Sequence, residues 1–261
     1  MSNKKQVNEI MMYQLTGANA HLDFGFGITG ESYYESAKYL DENKHAIGVF
    51  QLVEMPINFC YRHSIELFLK SLIIIFHKKL NISYNTFPPT STKPMIQVNG
   101  KWRMLYTCHW IGELYKYWKD SLLLANLDKL QKIATKGQWL EDIDITSAID
   151  IIAKYDKQSS FFRYPVTENA NLDLKKFAME EMDIESLTTL LSERKELDIS
   201  TEDKNNVGKI ILAMKNEDGD ISTTYVRNEN VLEEISIALK KVAYYFYCIH
   251  IMVRCTLCNG N

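Results

Sequence analysis

The segment from Ala46 to Leu80 constrains the fold more than any other part of the chain. Pro56 falls inside it, and because proline lacks an amide hydrogen, we expect a kink or a division into two helices there. After this point apolar residues recur at the spacing of one helical face, which predicts a long helix against a core. These residues are Ile65, Phe68, Leu69, Leu72, Ile75 and Phe76.

Four polar residues recur in the same segment. Arg62, Glu66 and Lys70 follow each other at four-residue steps, and His63 lies three residues before Glu66. Helical spacing puts all four on a face opposite the apolar one. One interpretation is a solvated stripe with ion pairs that contribute about 0.2–0.5 kcal/mol each. The other is a site where His63, held by Glu66, acts as a general acid or base while Arg62 and Lys70 bind an anion.

The rest of the chain predicts further helices and one hairpin. Asp218-Gly219 is a strong turn signal between two apolar runs, and it predicts a β-hairpin at about 209–227. Residues 81–101 contain three prolines and predict a long loop, and the Gly-rich residues 15–30 predict another. Apolar periodicity predicts core helices at about 46–80, 109–124, 144–155 and 231–254.

These elements together predict a mainly α fold with a small β-hairpin insertion. We expect residues 1–261 to form a single helical domain, since a chain of this length can bury one large core. The last helix is apolar on most sides, which predicts that it is buried or lies at an oligomer interface.

Charge, hydropathy and cysteine content limit the class of protein. The formal net charge is −3, so no overall basic excess marks the chain as a nucleic-acid binder. The longest apolar stretch, residues 72–76, is too short to cross a bilayer. Residues 1–15 lack a continuous apolar run and a small-residue cleavage site, so we do not expect a secretory signal. Five cysteines are an odd number and do not make a disulfide framework. We therefore expect a cytoplasmic protein with no membrane association.

Two short motifs raise the question of a cofactor. Residues 25–30 match G-x-G-x-x-G, but the βαβ unit that a dinucleotide fingerprint needs is not predicted around them. Cys255 and Cys258 form a C-x-x-C with His250 nearby, but a zinc site needs further ligands at suitable spacing. We expect no cofactor and no metal ion.

Three segments resemble HEPN-like proteins. Residues 62–72, Arg-His-Ser-Ile-Glu-Leu-Phe-Leu-Lys-Ser-Leu, resemble the second core helix of that superfamily, which carries a glutamate and then a lysine. Residues 108–118 resemble its third helix, which opens with a histidine and leucines. Residues 160–165, Ser-Phe-Phe-Arg-Tyr-Pro, resemble a segment that accompanies this helix pair in some prokaryotic members.

The resemblance implies a four-helix core that is often dimeric. Many members of the superfamily are metal-independent ribonucleases in toxin–antitoxin or phage-defence systems, and others are inactive binding modules. Their catalytic signature is an arginine followed after four to six residues by a histidine, near the start of the last core helix. Here Arg227 has no such histidine, and His250 precedes Arg254 in the opposite order. Only the string from Arg103 to His109 fits, and it stands before the third helix.

A site rebuilt from other residues has coherent chemistry for RNA cleavage without a metal ion. His63, held by Glu66, and His109 would carry the protons. Arg62 or Arg163 would bind the phosphate through its planar guanidinium group. A structural alternative for the last segment is that its phenylalanines anchor a turn while its arginine pairs with an acidic neighbour. The expected substrate-binding residues are Lys70, Arg103 and Tyr164.

Two functions therefore stay open. The first is a metal-independent, ribonuclease-like effector of the HEPN type in prokaryotic defence or toxin–antitoxin function. The second is a non-catalytic HEPN-like module that binds a partner protein, a nucleotide or RNA. RNA and a cognate protein are candidate partners, and the apolar C-terminal helix predicts a homodimer. Convergence of His63, His109 and Arg163 in one open cleft would favour catalysis, whereas burial against the chain's own carboxylates would favour a structural role.

Overall fold

Helices dominate the protein, as expected for a mainly α chain, and two small antiparallel sheets accompany them. Parts of three predicted elements lie outside the residues that the structure describes: residues 85–92 of the loop, residue 144 of a helix and residues 209–210 of the hairpin. The computed structural model describes residues 15–48, 50–84, 93–139, 145–157, 159–183, 185–186, 188–189, 211–228 and 231–259.

The central element is helix α2, Glu54–Leu80, which is buried on almost every side. Its apolar residues 72–76 are fully buried, as expected for a core helix that is hydrophobic all round. Pro56 lies in the first turn, where backbone amides have no partner within the helix. The predicted division at Pro56 was therefore wrong, and so was the predicted start near residue 46.

Helix α1, Phe26–Glu42, begins inside the region predicted as a loop. The Asp23 carboxylate accepts hydrogen bonds from the amides of Gly25 and Gly27 at 3.2 and 2.8 Å, which satisfies amides at the helix start. A Cβ atom at Gly27 would lie 2.3 Å from the His250 ring. The glycine of this motif therefore permits close packing of two helices.

A β-hairpin follows the central helix. Strands β1, Met95–Val98, and β2, Lys101–Met104, pair in antiparallel fashion around Asn99 and Gly100, both of which have positive φ. The prediction of a loop over 81–101 was wrong for this part. The signal was present, because an Asn-Gly pair between short strands is a strong hairpin indicator.

The predicted helix at 109–124 is present with two hydrogen-bonding patterns. Helix α3, Ile111–Lys116, continues directly into a π-helix, Tyr117–Leu123. Buried aromatic and aliphatic side chains from both parts face the core. The apolar pattern therefore predicted a helix here but not the change from an α-helix to a π-helix. Three shorter helices follow: α4, Leu127–Ile133; α5, Thr146–Tyr155; and α6, Ala170–Asp173.

The predicted hairpin near 209–227 is present as part of a larger sheet. Strands β4, Ile211–Lys215, and β5, Ile221–Arg227, pair around Gly219, which has a φ of 88°. Strand β3, Met179–Met182, pairs with the other edge of β5. The sequence Met-Glu-Glu-Met has no alternation of apolar and polar residues over a strand's length, so β3 was not predicted.

Helix α7, Glu233–Thr256, closes the core by packing against α1, α2 and α5. Its apolar face is used by the chain itself, while Ile237 and Tyr244 stay 60% exposed. The homodimer through this helix remains a prediction. No helix in the described ranges combines the length and the apolar character that crossing a membrane requires.

Candidate functional site

The polar face of α2 is buried, which corrects the prediction of a solvated stripe. The side chains of Arg62, Glu66 and Lys70 are 1%, 1% and 3% exposed. Arg62 pairs with Glu66 through Nη1, and Lys70 Nζ lies 2.8 Å from Glu66 Oε1. The helical spacing of the three residues was predicted correctly, but the face they share is covered by other parts of the chain.

Asp156 completes this cluster and was missed by sequence reasoning. Arg62 Nε donates to Asp156 Oδ2 at 2.7 Å, and the Phe161 amide donates to the other carboxylate oxygen at 2.9 Å. Asp156 stands alone at the end of α5, and no spacing relates it to α2. Two cations and two carboxylates, Arg62, Lys70, Glu66 and Asp156, therefore form a buried cluster with no net charge.

Glu66 is ionised at neutral and mildly acidic pH. Burial opposes its ionisation, but the charges of Lys70 and Arg62 and hydrogen bonds from Lys70 and His109 lower the pKa of Glu66 to about 2. A carboxylate of this kind is a permanent negative charge inside the protein and a fixed hydrogen-bond acceptor.

His109 is the member of the group that reaches solvent. Its Nδ1 lies 2.9 Å from Glu66 Oε1, and 42% of its side chain is exposed. The carboxylate can only accept, so Nδ1 donates to it, and in the neutral ring Nε2 is the nitrogen with the lone pair. Arg62 Nη2 donates to the backbone carbonyl of His109, and Lys70 Nζ lies 3.4 Å from the carbonyl of Tyr106. The buried cluster therefore fixes both the ring and the backbone of His109.

His63 occupies a different environment from the one predicted. Its ring packs edge-on against Tyr33 at 4.5 Å and stacks on Phe59 at 5.6 Å. Its Nδ1 atom is buried and has no hydrogen-bond partner among the described residues. The expectation that Glu66 holds His63 was wrong, because the hydrogen-bond donors on Glu66 are Arg62, Lys70 and His109.

The protonation of His63 is set mainly by its surroundings. Burial lowers its pKa, the charge of Glu66 raises it, and the charges of Arg62, Lys70 and Arg163 lower it further. The net result is a pKa below the usual 6.5. The ring is therefore neutral near pH 7, which makes His63 a poor proton donor.

Arg163 lies in an exposed turn beside a cleft. The amide of Arg163 donates to the carbonyl of Ser160 at 3.0 Å, and the buried Phe161 and Phe162 anchor the turn, as the structural alternative predicted. Ion pairs within the described ranges do not include Arg163, so the predicted pairing with an acidic neighbour was wrong. The cleft has a volume of about 460 Å³ and is lined by Leu52, Met55, Pro56, Phe59, Phe162, Arg163 and Pro165.

Tyr164 and Arg103, two predicted substrate-binding residues, are also exposed. Tyr164 is 57% exposed, while its carbonyl accepts a hydrogen bond from Lys176 at 2.9 Å. The guanidinium of Arg103 lies 5.2 Å from the ring centre of Trp110, the residue that follows His109. Arg103 therefore lies beside the residue that follows His109, while Lys70, the third predicted residue, is buried.

A second buried cluster involves the histidine and arginine of the last helix. Arg254 Nη2 lies 2.5 Å from Asp23 Oδ2 at the start of α1. His250 is fully buried, and burial together with the nearby Arg254 lowers its pKa to about 3. These residues join the start of α1 to the end of α7 in the core.

The described residues contain no group of three or more His, Cys, Asp or Glu side chains arranged to hold a metal ion. Cys258 of the C-x-x-C motif is buried and Cys255 is half-buried. Burial raises the pKa of the Cys258 thiol, which disfavours the thiolate that zinc binding needs.

Comparisons with known proteins add no relative from which a role could be transferred. No protein-family model, curated protein or solved structure matches the chain. The role of the site is therefore inferred from its geometry.

Proposed function

We propose that the protein is a HEPN-like ribonuclease that cleaves RNA without a metal ion, with His109 as the general base. The observation that supports this most is the hydrogen bond from His109 Nδ1 to the ionised Glu66, in a side chain that is 42% exposed. The carboxylate orients the ring and leaves Nε2 as the basic nitrogen. A histidine fixed in this way suits proton abstraction near neutral pH.

The reaction follows from these groups. Nε2 of His109 takes the proton of a ribose 2′-hydroxyl, and the 2′-oxygen attacks the adjacent phosphorus. The bond from phosphorus to the 5′-oxygen breaks, a 2′,3′-cyclic phosphate forms, and the 5′-oxygen takes a proton from water. Arg103, which lies over the neighbouring Trp110, supplies positive charge to the phosphate.

The other predicted site residues take different roles in this proposal. Arg62 does not bind the phosphate, because its guanidinium group is held by Glu66, Asp156 and the carbonyl of His109. Its role is to position His109. His63 is not the general acid, since its lowered pKa keeps it neutral. Arg163 and Tyr164 bind a neighbouring part of the RNA from the exposed turn beside the cleft.

The second candidate is a non-catalytic HEPN-like module that binds RNA, a nucleotide or a partner protein. The observation that favours it is the burial of Arg62 and Lys70 against the chain's own carboxylates. That arrangement removes two of the six cations and histidines predicted for the site from contact with a substrate, and neither His63 nor His109 lines the cleft beside Arg163. The two candidates predict different results with the same RNA.

The test is incubation of the purified protein with single-stranded RNA in EDTA. A matched oligonucleotide with a 2′-deoxyribose at every position is the control, because it lacks the attacking hydroxyl group. Cleavage of the RNA alone, with a 2′,3′-cyclic phosphate at the new end, supports the nuclease. Intact RNA that changes fluorescence anisotropy on binding supports the second candidate instead.

The proposed role in defence or a toxin system has its own test in bacterial growth. We expect induced expression of the wild-type chain to slow growth and expression of His109→Ala at the same level to spare it. Equal growth with both chains would contradict the role as a toxin. It would not bear on RNA cleavage itself, which the assay in EDTA tests separately.

A further inference from the structure

A separate cavity lies between the start of α2, the three-stranded sheet and the start of α7. Its volume is about 610 Å³, within the range of small-molecule sites in proteins. Part of its wall is apolar and comes from Ile47, Val53, Met179, Val231 and Ile237. A wall of this kind suits a planar or branched apolar group.

The charged part of the wall has more cations than acids. Five charged residues line it: Lys44, Glu54, Arg227, Glu233 and Lys240. Lys44 is paired with Glu54 at 3.1 Å, and Lys240 is paired at 2.7 Å with Asp41 outside the cavity. No ion pair among the described residues involves Arg227. Its planar guanidinium is therefore available for a carboxylate, while the two acids of the wall disfavour a doubly charged ligand.

Gln51 adds a hydrogen-bond acceptor to the same wall. Its Nε2 donates to the carbonyl of Met179 at 3.2 Å, which fixes the orientation of the amide. Its Oε1 atom is buried and has no donor within the described part of the chain. A buried amide oxygen without a donor is unfavourable, so a ligand with an N–H or O–H group gains affinity by supplying one.

We propose that this cavity binds a small aromatic carboxylate that carries a hydrogen-bond donor. The carboxylate contacts Arg227, the donor faces Gln51 Oε1, and the aromatic body packs on the apolar wall. The single carboxylate pairs with Arg227, the lining cation that the described ion pairs leave out. The proposal does not depend on RNA cleavage, since no residue of the His109 site lines this cavity.

Three aromatic probes separate the contributions of the carboxylate and of the N–H group in a calorimetric titration of the full chain. Indole-3-acetate has the carboxylate, the aromatic body and the N–H; naphthalene-1-acetate lacks the N–H, and indole-3-ethanol lacks the charge. We expect indole-3-acetate to bind most tightly. Arg227→Gln should weaken it about tenfold, as loss of a charge-assisted hydrogen bond does, and should leave indole-3-ethanol unchanged.

Two further variants complete the test. Lys215→Gln removes an exposed cation of the same sheet outside the cavity and should leave all three affinities unchanged. Gln51→Leu should abolish the preference for indole-3-acetate over naphthalene-1-acetate. The proposal is overturned if no probe binds at millimolar concentration, or if Arg227→Gln, folded by circular dichroism, binds indole-3-acetate as well as the wild type. If Arg227→Gln does not fold, an undiminished preference in Gln51→Leu overturns it.

Discussion

Arg62 is the residue whose interpretation changes most between sequence and structure. The sequence alone is equally consistent with an exposed Arg62 that binds a phosphate and with one that forms an ion pair. In the structure its guanidinium donates to Glu66, to Asp156 and to the carbonyl of His109. One side chain thereby joins α2 to the segment that carries His109 and to the end of α5. A cation used in this way shapes a site without contacting its substrate.

Removing Glu66 tests whether the cluster stabilises the protein. Glu66→Gln keeps the shape of the side chain but leaves the buried cations Arg62 and Lys70 with one carboxylate between them. We expect it to lower the free energy of unfolding by about 3–5 kcal/mol, as is usual when one partner of a buried ion pair is lost. Urea denaturation at neutral pH measures the change.

Glu35→Gln is the matched control, because Glu35 is an exposed carboxylate on α1. We expect a change of about 0.5 kcal/mol or less, as for most surface substitutions. Equal effects of the two substitutions would contradict the assignment of Glu66 to a buried, charge-balanced cluster.

Periodicity could place Arg62, Glu66 and Lys70 on one face but could not say what covers that face. The covering groups are Asp156 and the carbonyls of Tyr106 and His109, which come from distant parts of the chain. A backbone carbonyl has no signature in a sequence. For this reason the sequence could not predict that the cluster is covered and neutralised.

At the scale of elements, local sequence signals are most informative at tight turns, where the backbone conformation of one or two residues decides the structure. Asn99-Gly100 and Asp218-Gly219 both mark hairpins, although only the second was interpreted in that way. Gly27 was read as part of a loop, because glycine lowers helix propensity. Its place in α1 depends on the ring of His250, far away in the sequence, and only the packed structure reveals that need for space.

The close approach of α1 and α7 gives a prediction with a matched control. A Cβ atom at Gly27 would lie 2.3 Å from His250 Cε1 and 2.8 Å from Asp23 Oδ2, both in fully buried side chains. We expect Gly27→Ala to destabilise the protein by about 1–3 kcal/mol through overpacking. The midpoint of urea unfolding reports the change.

Gly112 is the second residue of α3, as Gly27 is of α1. A Cβ atom at Gly112 would meet only Ala153 Cβ, at 3.8 Å, which is ordinary van der Waals contact. Gly112→Ala should therefore stabilise the protein by about 0.4–1 kcal/mol, because alanine reduces the freedom of the unfolded chain. A stabilising effect of Gly27→Ala as well would show that the two helices do not pack as closely as described.

At the scale of the whole molecule, the pKa values of three histidines and two buried carboxylates are all shifted downwards. Burial lowers the pKa of His63, His77 and His250, the last to about 3, so the folded protein keeps these rings neutral. Interactions with cations and hydrogen-bond donors outweigh burial at Glu66, whose pKa falls to about 2, and they lower the pKa of Asp23. In each case the unfolded chain binds protons at a higher pH than the folded protein.

Stability should therefore fall as the solution is acidified. The histidine contribution is fully present above the ordinary histidine pKa of 6.5 and is lost as the pH falls towards about 3. The contribution of Glu66 is lost later, from 4.5 down to about 2. Urea unfolding should give a lower free energy at about pH 5 than at about pH 7.5. A free energy of unfolding at about pH 5 that equals or exceeds the value at about pH 7.5 would contradict the burial of these groups.

The buried cluster is linked through Glu66 to His109, a histidine that reaches solvent. The helical class and the central helix followed from apolar periodicity, and the resemblance to HEPN-like proteins directed attention to the residues around His109. The position of His109 on Glu66, in contrast, requires the chain between α2 and α3 to fold back over the helix. This geometry is the basis for assigning the general base to His109 and not to His63.

The most direct test of that assignment is the rate of RNA cleavage in EDTA by the wild type and by His109→Ala. We expect the substitution to lower the rate by about 10²–10⁴-fold, the usual contribution of a general base, while circular dichroism stays unchanged. His45→Ala, which removes an exposed histidine between α1 and α2, should keep the wild-type rate. Equal rates for the wild type and His109→Ala, or no cleavage by either, would contradict the central claim.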